Sequence, residues 1–492
     1  MAKPLSILFC ASEIFPFAKT GGLADVAYGL PLALRDLGHD IRVMLPKYGP
    51  ISERRNRIHE INRLKDLPIP VGELTEPATV KSSSIVNPRT KVQAYMTTNH
   101  RYFDSKWGVY SDPETGQDYE DNDERFIFFS RTVIETCMLL GWFPDVVHCN
   151  DWHTGLIPVY MREMFPEQFA DTKIVFTIHN IANQGDFDLD ATFPKAGFDE
   201  SVRERVSHNG RFNFLKAGLS YADHVTTVSP SYAREILENG ELTDGLNAVL
   251  AVRKDVFSPV LNGIDTTVWN PEKDKSIARK YTADSIDKKE GNKEKVVESF
   301  GLNFKADRPV IAMISRLVPH KGLSLLQDAA EKLLEQDLQL LVLGEGDQDI
   351  QEFLESLQKN HPDKVGVKIG FDDNLAHLIE AGADMFLMPS LFEPCGLNQM
   401  YSFAYGTVPI VRATGGLKDT VREQDGEAGP GNGFVFDDYS AEAMLAAVGR
   451  ALEAYADKSR WNDIVAQGMS EDHSWNKAAG QYEGIYRGLF EA

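Results

Sequence analysis

The chain has 492 residues, more than one ordinary hydrophobic core organises, and this length favours two large domains. Hydrophobic residues make up 42% and charged residues 25% of the sequence, which is typical of a globular protein and excludes wholesale disorder. The net charge of −22 provides no basic face, so we expect neither nucleic acid nor a membrane as a partner.

The first half of the chain alternates short apolar strands with helices. In chain order the sequence predicts a strand over 5–11, a helix over 23–37, a strand over 41–46, a strand over 145–150, a helix from 156, a strand over 173–180, a helix over 212–222 and a strand over 224–230. Short apolar strands separated by helices predict a parallel sheet that is covered on both faces.

The second half repeats this alternation after a charged segment. Residues 270–307 are rich in Lys, Asp and Glu, which predicts a linker with one charged helix. Strands are then predicted, with helices between them, over 309–317, 338–347, 364–370, 384–390 and 408–416. We therefore predict an α/β protein with one domain over 1–262 and another over 263–474.

A Thr-Gly-Gly-Leu turn occurs in both halves, as KTGGLADV at 19–26 and as ATGGLKDTV at 413–421. Each copy stands between a predicted strand and a predicted helix, where α/β sheets commonly bind anions. Lys19 adds a cation to the first copy, and the threonines Thr20 and Thr414 are expected to cap the following helices. Four glycines would let the backbone approach a ligand closely: Gly21, Gly22, Gly415 and Gly416. The alternative is two unrelated helix starts.

The segment ISRLVPHKG places Arg316 and Lys321 just past a predicted strand. A guanidinium fork and a compact ammonium at that position can converge on one diphosphate. Such a pair would stabilise the negative charge that develops on a departing nucleoside diphosphate. The alternative is a solvated basic loop.

The segment PSLFEPCGL, residues 389–397, holds Glu393 between two prolines after another predicted strand. A carboxylate fixed there could bind sugar hydroxyls or stabilise positive charge on a sugar ring, or it could simply cap a helix. Cys395 could be a thiol nucleophile, but no histidine lies near it in the sequence, so we interpret it as a buried structural residue.

Polar side chains also follow two neighbouring predicted strands of the first half. They are His148, Asp151, Trp152, His153, His179 and Asn180. Histidines and an aspartate can form a metal site, but two loops without a supporting hydrogen-bond pattern give weak evidence for one. We predict no metal, and we expect these side chains to bind a sugar with Trp152 as a stacking face.

Six motifs of the chain, in their order and at their separations, resemble those of bacterial glycogen synthases and plant starch synthases. They are K-T-G-G-L-A-D-V, D-W-H, T-I-H-N, S-R-L-x-x-x-K-G, E-P-C-G-L and T-G-G-L-x-D-T-V. The resemblance runs from about Leu5 to the C-terminus. It implies the GT-B architecture, in which two Rossmann-like domains face each other across a cleft. It also implies that a last helix, over 475–492, crosses back to the N-terminal domain.

The resemblance also implies roles for particular residues. Asp151 and His179 would lie near the transferred glucose, Arg316 and Lys321 would clamp the diphosphate, and Glu393 would engage the glucose. Further contacts with the donor would come from Lys19, Gly21, Gly22, Phe371, Cys395, Gly396, Leu397, Thr414, Gly415 and Gly416.

Two positions depart from the family pattern. Asn183 in HNIANQG stands where the family usually has Tyr, which changes a contact to the sugar or the acceptor. Phe371 stands where the family often has Tyr against the nucleotide base, and its ring can still stack.

The activity that the resemblance implies is retaining transfer of glucose from ADP-glucose to the non-reducing end of an α-1,4-glucan such as glycogen, without a metal or a cofactor. The residues alone do not separate ADP from UDP and do not give the oligomeric state. Another nucleotide-sugar glycosyltransferase, an epimerase on the same scaffold, and a non-catalytic glucan-binding protein remain alternatives. Four scattered cysteines and an N-terminal apolar run too short for a signal peptide predict a cytoplasmic protein.

Overall fold

The computed structural model describes residues 3–424 and 431–491, and the chain divides into two compact units. Unit 1 consists of Met1–Gly263 and Trp475–Ala492, and unit 2 consists of Ile264–Ser474. The boundaries predicted from the sequence lie after residues 262 and 474. In the described part of the chain, no helix is both long and apolar enough to cross a membrane.

Unit 1 is built on a large sheet whose central strands are parallel. Its strands are β1 Ser6–Cys10, β2 Asp40–Pro46, β3 His59–Glu60, β4 Leu67–Val71, β5 Leu74–Val86, β6 Lys91–Thr98, β7 Val146–Asn150, β8 Lys173–Ile178, β9 Asp186–Asp188, β10 Ser207–His208, β11 Arg211–Asn213, β12 His224–Thr227 and β13 Phe257–Pro259. The sheet order is β13-β12-β8-β7-β1-β2-β6-β5-β3, with β4 paired to β5 and with β9, β10 and β11 forming a separate small sheet.

The helices of unit 1 begin and end at recognisable signals. They are α1 Gly22–Asp36, α2 Asn122–Leu140, α3 Leu156–Val159, α4 Leu189–Ala196, α5 Arg203–Val206, α6 Phe214–Tyr221, α7 Pro230–Glu238 and α8 Asn247–Val252. The side chain of Ser229 accepts a hydrogen bond from the Tyr232 N–H at the start of α7, and Gly141 ends α2 with a φ of 60°. These are the local signals that set helix boundaries.

The C-terminal helix, Trp475–Glu491, packs in unit 1 although most of unit 2 precedes it in the chain. Gly29 in α1 lies against Trp475, and a Cβ atom at Gly29 would come within 1.9 Å of the indole ring. The hydroxyl of Tyr486 lies 2.6 Å from Nδ1 of His148 on β7. A small residue and a buried hydrogen bond therefore hold this helix to the sheet.

The predicted strands and helices of the first half are present, but the region between residues 47 and 145 was not foreseen. It contains the antiparallel pairs β3-β5, β4-β5 and β5-β6, and the long helix α2. The prediction of a wholly parallel sheet is thus wrong at this edge. Strand β5 alternates buried with partly exposed residues and is rich in Ser and Thr, so it lacks the continuous apolar run of a central parallel strand.

Within its described residues, unit 2 is a six-stranded, fully parallel sheet with helices on both faces. Its strands are β14 Val310–Ile314, β15 Gln339–Gly344, β16 Val365–Ile369, β17 Met385–Met388, β18 Val408–Arg412 and β19 Phe434–Phe436. Its helices are α9 Lys289–Ser299, α10 Leu323–Glu335, α11 Gln348–Asn360, α12 Asp373–Gly382, α13 Asn398–Tyr405, α14 Gly415–Thr420, α15 Ala441–Ala456 and α16 Lys458–Met469. The strand order β16-β15-β14-β17-β18-β19 is that of a Rossmann fold.

The charged segment 270–307 is part of unit 2, so its prediction as a linker is wrong. Val296 and Val297 on α9 are fully buried against the sheet. The Lys289 ammonium donates to the backbone carbonyls of Glu380, Ala381 and Tyr405. The charged composition did not indicate this packing, because a lysine such as Lys289 can be partly buried when carbonyl oxygens at helix ends bind its ammonium.

Candidate active site

In each unit the predicted motifs lie at the carboxyl ends of the central strands of the sheet. In unit 1 the central strand β1 lies between β2 and β7, and in unit 2 the central strand β14 lies between β15 and β17. Connections leave the two central strands in opposite directions at such a point, which opens a crevice beyond their carboxyl ends. The motif residues follow β1, β7, β14 and β17.

In unit 2, the loops after β14 and β17 meet through an ion pair. The Lys321 Nζ atom lies 2.6 Å from the Glu393 Oε2 atom, and the Ser390 hydroxyl donates to the same oxygen at 3.1 Å. Glu393 is buried, whereas Arg316 is exposed and makes no side-chain hydrogen bond or ion pair with a described residue. The site thus holds one fixed ammonium and one guanidinium that is available to an anion.

The same two loops also touch through His320 and Phe392. Their rings stack with centroids 4.8 Å apart, and the Leu391 N–H donates to the His320 carbonyl at 2.8 Å. Burial, helped by the charges of Lys321 and Arg316, lowers the pKa of His320 to about 4. His320 is therefore neutral at physiological pH, and its uncharged ring supports the loop by stacking on Phe392.

Glycines are required in this site because loops approach each other closely. Gly322 has a φ of 78°, and a Cβ atom there would come within 1.9 Å of the Pro389 carbonyl oxygen. Gly415 has a φ of 44°, and its Cβ would come within 1.9 Å of the Glu393 carbonyl oxygen. A Cβ at Gly416 would come within 2.1 Å of the Cys395 carbonyl oxygen. These three glycines pack on the loop that carries Glu393.

This packing corrects two expectations for the second Thr-Gly-Gly turn. The Gly416 N–H donates to the carbonyls of Glu393 and Pro394, and the Thr414 N–H donates to Arg412, so these groups are not free for a phosphate. Thr414 does occupy the N-cap position of α14, but its side chain makes no capping hydrogen bond. The close approach that the glycines permit is to the chain itself.

The other predicted donor contacts of unit 2 differ in exposure. Cys395 is buried and not in a disulfide, and its carbonyl accepts a hydrogen bond from Gln399. Gly396, with a φ of 72°, and Leu397 lead into α13 and are partly buried. Phe371 follows β16 and is 71% exposed, so the face of its ring is open to a stacking partner.

In unit 1, the first Thr-Gly-Gly turn is held by Glu13, a residue that the sequence reasoning missed. The Glu13 carboxylate accepts the Thr20 N–H, the Thr20 hydroxyl at 3.0 Å and the Gly21 N–H at 3.3 Å. It also accepts the Tyr110 hydroxyl at 3.1 Å. Burial raises the pKa of Glu13, and these hydrogen bonds oppose that rise. The prediction that Thr20 caps α1 is wrong, because Gly21 is the N-cap residue and Thr20 bonds to Glu13.

The rest of this turn is more open. Lys19 lies 2.8 Å from Asp25 in the first turn of α1. A Cβ atom at Gly21 would meet nothing within 4 Å, so packing within the chain does not require glycine there. Gly22 is exposed at the start of α1. Close approach of a ligand remains the predicted reason for Gly21.

Asp151 and His179 are brought together at the ends of β7 and β8. The Asp151 carboxylate accepts the backbone N–H of His179 at 2.7 Å and that of Asn180 at 3.4 Å. Burial nevertheless raises the pKa of Asp151 to about 7. Its backbone, at a φ of 55° and a ψ of 178°, occupies a region that normally only glycine adopts, at a cost of about 1–3 kcal/mol.

His179 has a defined protonation state. Nδ2 of Asn150 donates to the Cys10 carbonyl at 2.9 Å and to the His148 carbonyl at 3.4 Å, which orients the amide. The Asn150 Oδ1 atom, 2.9 Å from His179 Nε2, must then accept a hydrogen bond from that nitrogen. Burial lowers the pKa of His179 to about 3. The ring is therefore neutral, with Nδ1 as an acceptor.

Three other side chains of these loops, those of His148, Trp152 and His153, belong to the core, so the expectation that they bind a sugar is wrong, whereas Asn180 is only partly buried. His148 is fully buried between Tyr486 and Thr177. His153 stacks on Tyr110 with centroids 4.4 Å apart. Trp152 is only 8% exposed and lies among other aromatic rings. Asn183 is exposed on the loop after β8. Over residues 3–424 and 431–491 no cluster of three His, Cys, Asp or Glu side chains is arranged to hold a metal ion.

The chain matches two family models, one for each half. Residues 6–252 match the starch synthase catalytic domain, and residues 295–466 match glycosyl transferases group 1. Among curated relatives, the glycogen synthase of Anaeromyxobacter sp. (strain Fw109-5) is 43% identical over 490 residues, which are 99% of each chain. The glycogen synthase of Chlorobaculum parvum is 40% identical over 484 residues, which are 98% of each chain.

Solved structures give the same result for the fold. The catalytic domain of starch synthase IV from Arabidopsis thaliana, bound to ADP and acarbose, is 31% identical, covers 100% of both chains and has a TM-score of 0.90. A sucrose-phosphate synthase from Thermosynechococcus elongatus is 18% identical with a TM-score of 0.61 over 99% of both chains, a likeness of fold alone. The resemblance seen in the motifs and the predicted GT-B class are confirmed.

Proposed function

Because the chain belongs to the family of bacterial glycogen synthases and plant starch synthases, and is therefore a glycosyltransferase with their function, we propose ADP-glucose as its donor and an α-1,4-glucan as its acceptor. Glucose would be added at the non-reducing end with retention of configuration. ADP in the related starch synthase structure favours ADP over UDP.

The observation that carries this proposal is the cationic site of unit 2. Lys321 is held 2.6 Å from Glu393 beside the exposed Arg316, at the carboxyl ends of the central strands. Both cations would contact the diphosphate, since a guanidinium fork and an ammonium stabilise charge on phosphate oxygens. Glu393 would then accept hydroxyls of the glucose, and Phe371 would stack on the base. Gly396 and Leu397 would line the same site.

Unit 1 would contribute to the same reaction through Asp151 and His179. The neutral His179 offers Nδ1 as an acceptor for a sugar hydroxyl, and the Asp151 carboxylate can stabilise positive charge on the sugar ring. Lys19 would supply a cation to the donor, and Gly21 and Gly22 an unobstructed backbone. The strained backbone of Asp151 supports a functional role, because such conformations cluster at active sites.

We propose that the transfer takes place on one face of the sugar. The bond between glucose C1 and the diphosphate oxygen breaks with its electron pair going to ADP, and the acceptor O4 forms the new bond on that face. The O4 proton passes to the departing diphosphate. The Glu393 Oε2 atom accepts hydrogen bonds from Lys321 and Ser390, which supports a binding role for this carboxylate over a nucleophilic one. A trapped glycosyl adduct on Glu393 or Asp151 would contradict this mechanism.

The proposed compartment is the cytoplasm. All four cysteines are free and buried: Cys10, Cys137, Cys149 and Cys395. Unpaired thiols persist in a reducing environment, which supports this assignment.

The deciding experiment supplies purified protein with radiolabelled ADP-glucose or UDP-glucose, with and without glycogen. We expect ADP release and label in glycogen at matched rates, and weak incorporation from UDP-glucose. Label on a small acceptor would favour another glycosyltransferase, and a change in the donor sugar without transfer would favour an epimerase. Glycogen binding without ADP release would favour a non-catalytic glucan-binding protein.

A further inference from the structure

Trp107 is unusual among the six tryptophans of the chain, all of which lie in the described residues. Its side chain is 70% exposed, whereas Trp152, Trp461 and Trp475 are buried. Tryptophan side chains are highly buried on average, so an indole that is largely exposed to solvent indicates a binding role. Between Val86 and Leu139 no other large hydrophobic residue is exposed, so no exposed apolar side chain nearby in the sequence extends the surface of the indole.

The loop that presents Trp107 is held on both sides of the indole. The Gly49 N–H donates to the Lys106 carbonyl at 2.9 Å, and the Gly108 N–H donates to the Tyr119 hydroxyl at 3.0 Å. The Lys106 ammonium pairs with Asp121 and lies 4.5 Å above the Tyr119 ring.

Close packing adds to this restraint. A Cβ atom at Gly49 would come within 2.9 Å of the Lys106 carbonyl oxygen. The Arg125 guanidinium donates to the Val109 carbonyl at 3.0 Å. The indole is therefore presented on an ordered backbone, and ordering the loop would cost little on binding.

The loop lies at the edge of unit 1 that carries the candidate site. It leaves β6, whose carboxyl end is at the same edge as those of its parallel neighbours β2 and β1. Tyr110 bonds to Glu13 and stacks on His153, two residues after Asp151. Three residues of chain span roughly 10 Å at most, so Trp107 lies within that distance of Tyr110 along the backbone.

We propose that Trp107 is a binding platform for the α-1,4-glucan acceptor, outside the residues that handle the donor. Glucose rings carry C–H groups on one face, and a flat exposed indole offers them a large apolar surface without hydrogen-bonding demands. A single exposed aromatic ring suits a neutral sugar chain better than a protein partner, whose interface would bury a larger apolar centre. This inference rests on the proposed function.

The test has two measurements, glucan binding without ADP-glucose and steady-state transfer kinetics with it. Maltoheptaose is titrated into the full-length protein while tryptophan fluorescence is recorded, and Trp107→Ala, Trp107→Phe and the control Val252→Ala, at an 87% exposed position of unit 1, are compared. We expect the wild-type emission to shift on binding, and Trp107→Phe to lose that shift. We also expect Trp107→Ala to raise the KM for maltoheptaose roughly tenfold.

In these variants kcat and the KM for ADP-glucose should stay near wild type, and Val252→Ala should match wild type throughout. An unchanged glucan KM in Trp107→Ala, with transfer activity intact, would overturn the platform and leave the proposed function standing. A protein that releases no ADP but loses its maltoheptaose-induced shift in Trp107→Phe would overturn the proposed function and keep the platform.

Discussion

The Lys321 Nζ atom lies 2.6 Å from the Glu393 Oε2 atom, although the two residues are 72 positions apart in the chain. Both side chains are mostly shielded from solvent, with exposed fractions of 20% and 10%. The pair fixes the ammonium in the candidate diphosphate site before any ligand arrives. Removing either partner would leave the other charge poorly compensated.

Replacing Lys321 by Ala should lower kcat by about 10²–10³-fold, because one lost charge-stabilising donor typically costs that much. The measurement is the rate of ADP release at saturating donor and glucan. Lys332→Ala, an exposed lysine on α10, is the matched control and should retain wild-type kcat. Near-normal turnover of a folded Lys321→Ala protein would remove the clamp from the mechanism.

Replacing Gly415 by Ala should reduce activity and lower Tm. The new Cβ would come within 1.9 Å of the Glu393 carbonyl oxygen, and a φ of 44° is strained for alanine. Gly449→Ala is the control, because its Cβ would meet nothing within 4 Å in the helix α15. That control should gain roughly 0.5–1 kcal/mol of stability from helix propensity. Equal thermal unfolding of the two variants would contradict the packing role of Gly415.

Replacing Asp151 by Asn should remove a pH dependence of activity. Burial raises the pKa of Asp151 to about 7, so its negative charge is lost as pH falls through that value. If the carboxylate stabilises positive charge on the sugar, kcat/KM of the wild type should fall below about pH 7, and Asp151→Asn should be slow and flat across that range. The expected transition lies within roughly pH 5.5–8. A wild-type kcat/KM that stays level across this range would argue against a catalytic role for the ionised Asp151 carboxylate.

The same substitution should stabilise the protein at alkaline pH. Because the folded pKa of Asp151 is raised from 3.8 to about 7, the folded state binds the proton more tightly than the unfolded state does. The stability associated with the protonated form is complete below pH 3.8 and is lost as pH rises to about 7. The Tm of Asp151→Asn should therefore exceed that of the wild type above pH 7 by more than it does near pH 4. Parallel Tm curves for the two proteins would refute a perturbed carboxyl.

Replacing Glu13 should disturb the first Thr-Gly-Gly turn without touching the substrate. We expect Glu13→Ala to lower kcat/KM by roughly 10–10²-fold through misplacement of the loop. Glu13→Gln should be intermediate, because the hydroxyls of Thr20 and Tyr110 can turn to accept hydrogen bonds, whereas backbone N–H groups cannot.

Steady-state kinetics that separate kcat from the KM for donor provide the measurement for Glu13. The exposed Glu120→Gln serves as the control and should behave as wild type. Equal losses in Glu13→Gln and Glu13→Ala would count against positioning through hydrogen bonds to the turn.

Local patterns predicted most of the central strands and the positions of the motifs on them. They failed where a residue's role depends on contacts distant in the chain. His148, expected near a ligand, is buried against the C-terminal helix, and Gly415 and Gly416 are needed for packing on the Glu393 loop. Glu13 lies two residues beyond a predicted strand but carries no local signal of its role, because nothing nearby in the sequence marks Tyr110 as its partner.

Hydrophobic period and motif order are properties of neighbouring residues, so they were enough to predict two α/β halves, the motifs that end their strands, and the family they resemble. The strand order, the pairing of Lys321 with Glu393 and the neutral ring of His179 become visible only in the folded chain. These features depend on which loops contact each other in the folded chain and on whether burial or hydrogen bonding has the larger effect on a side chain's pKa. Neither can be derived from a single segment of the sequence.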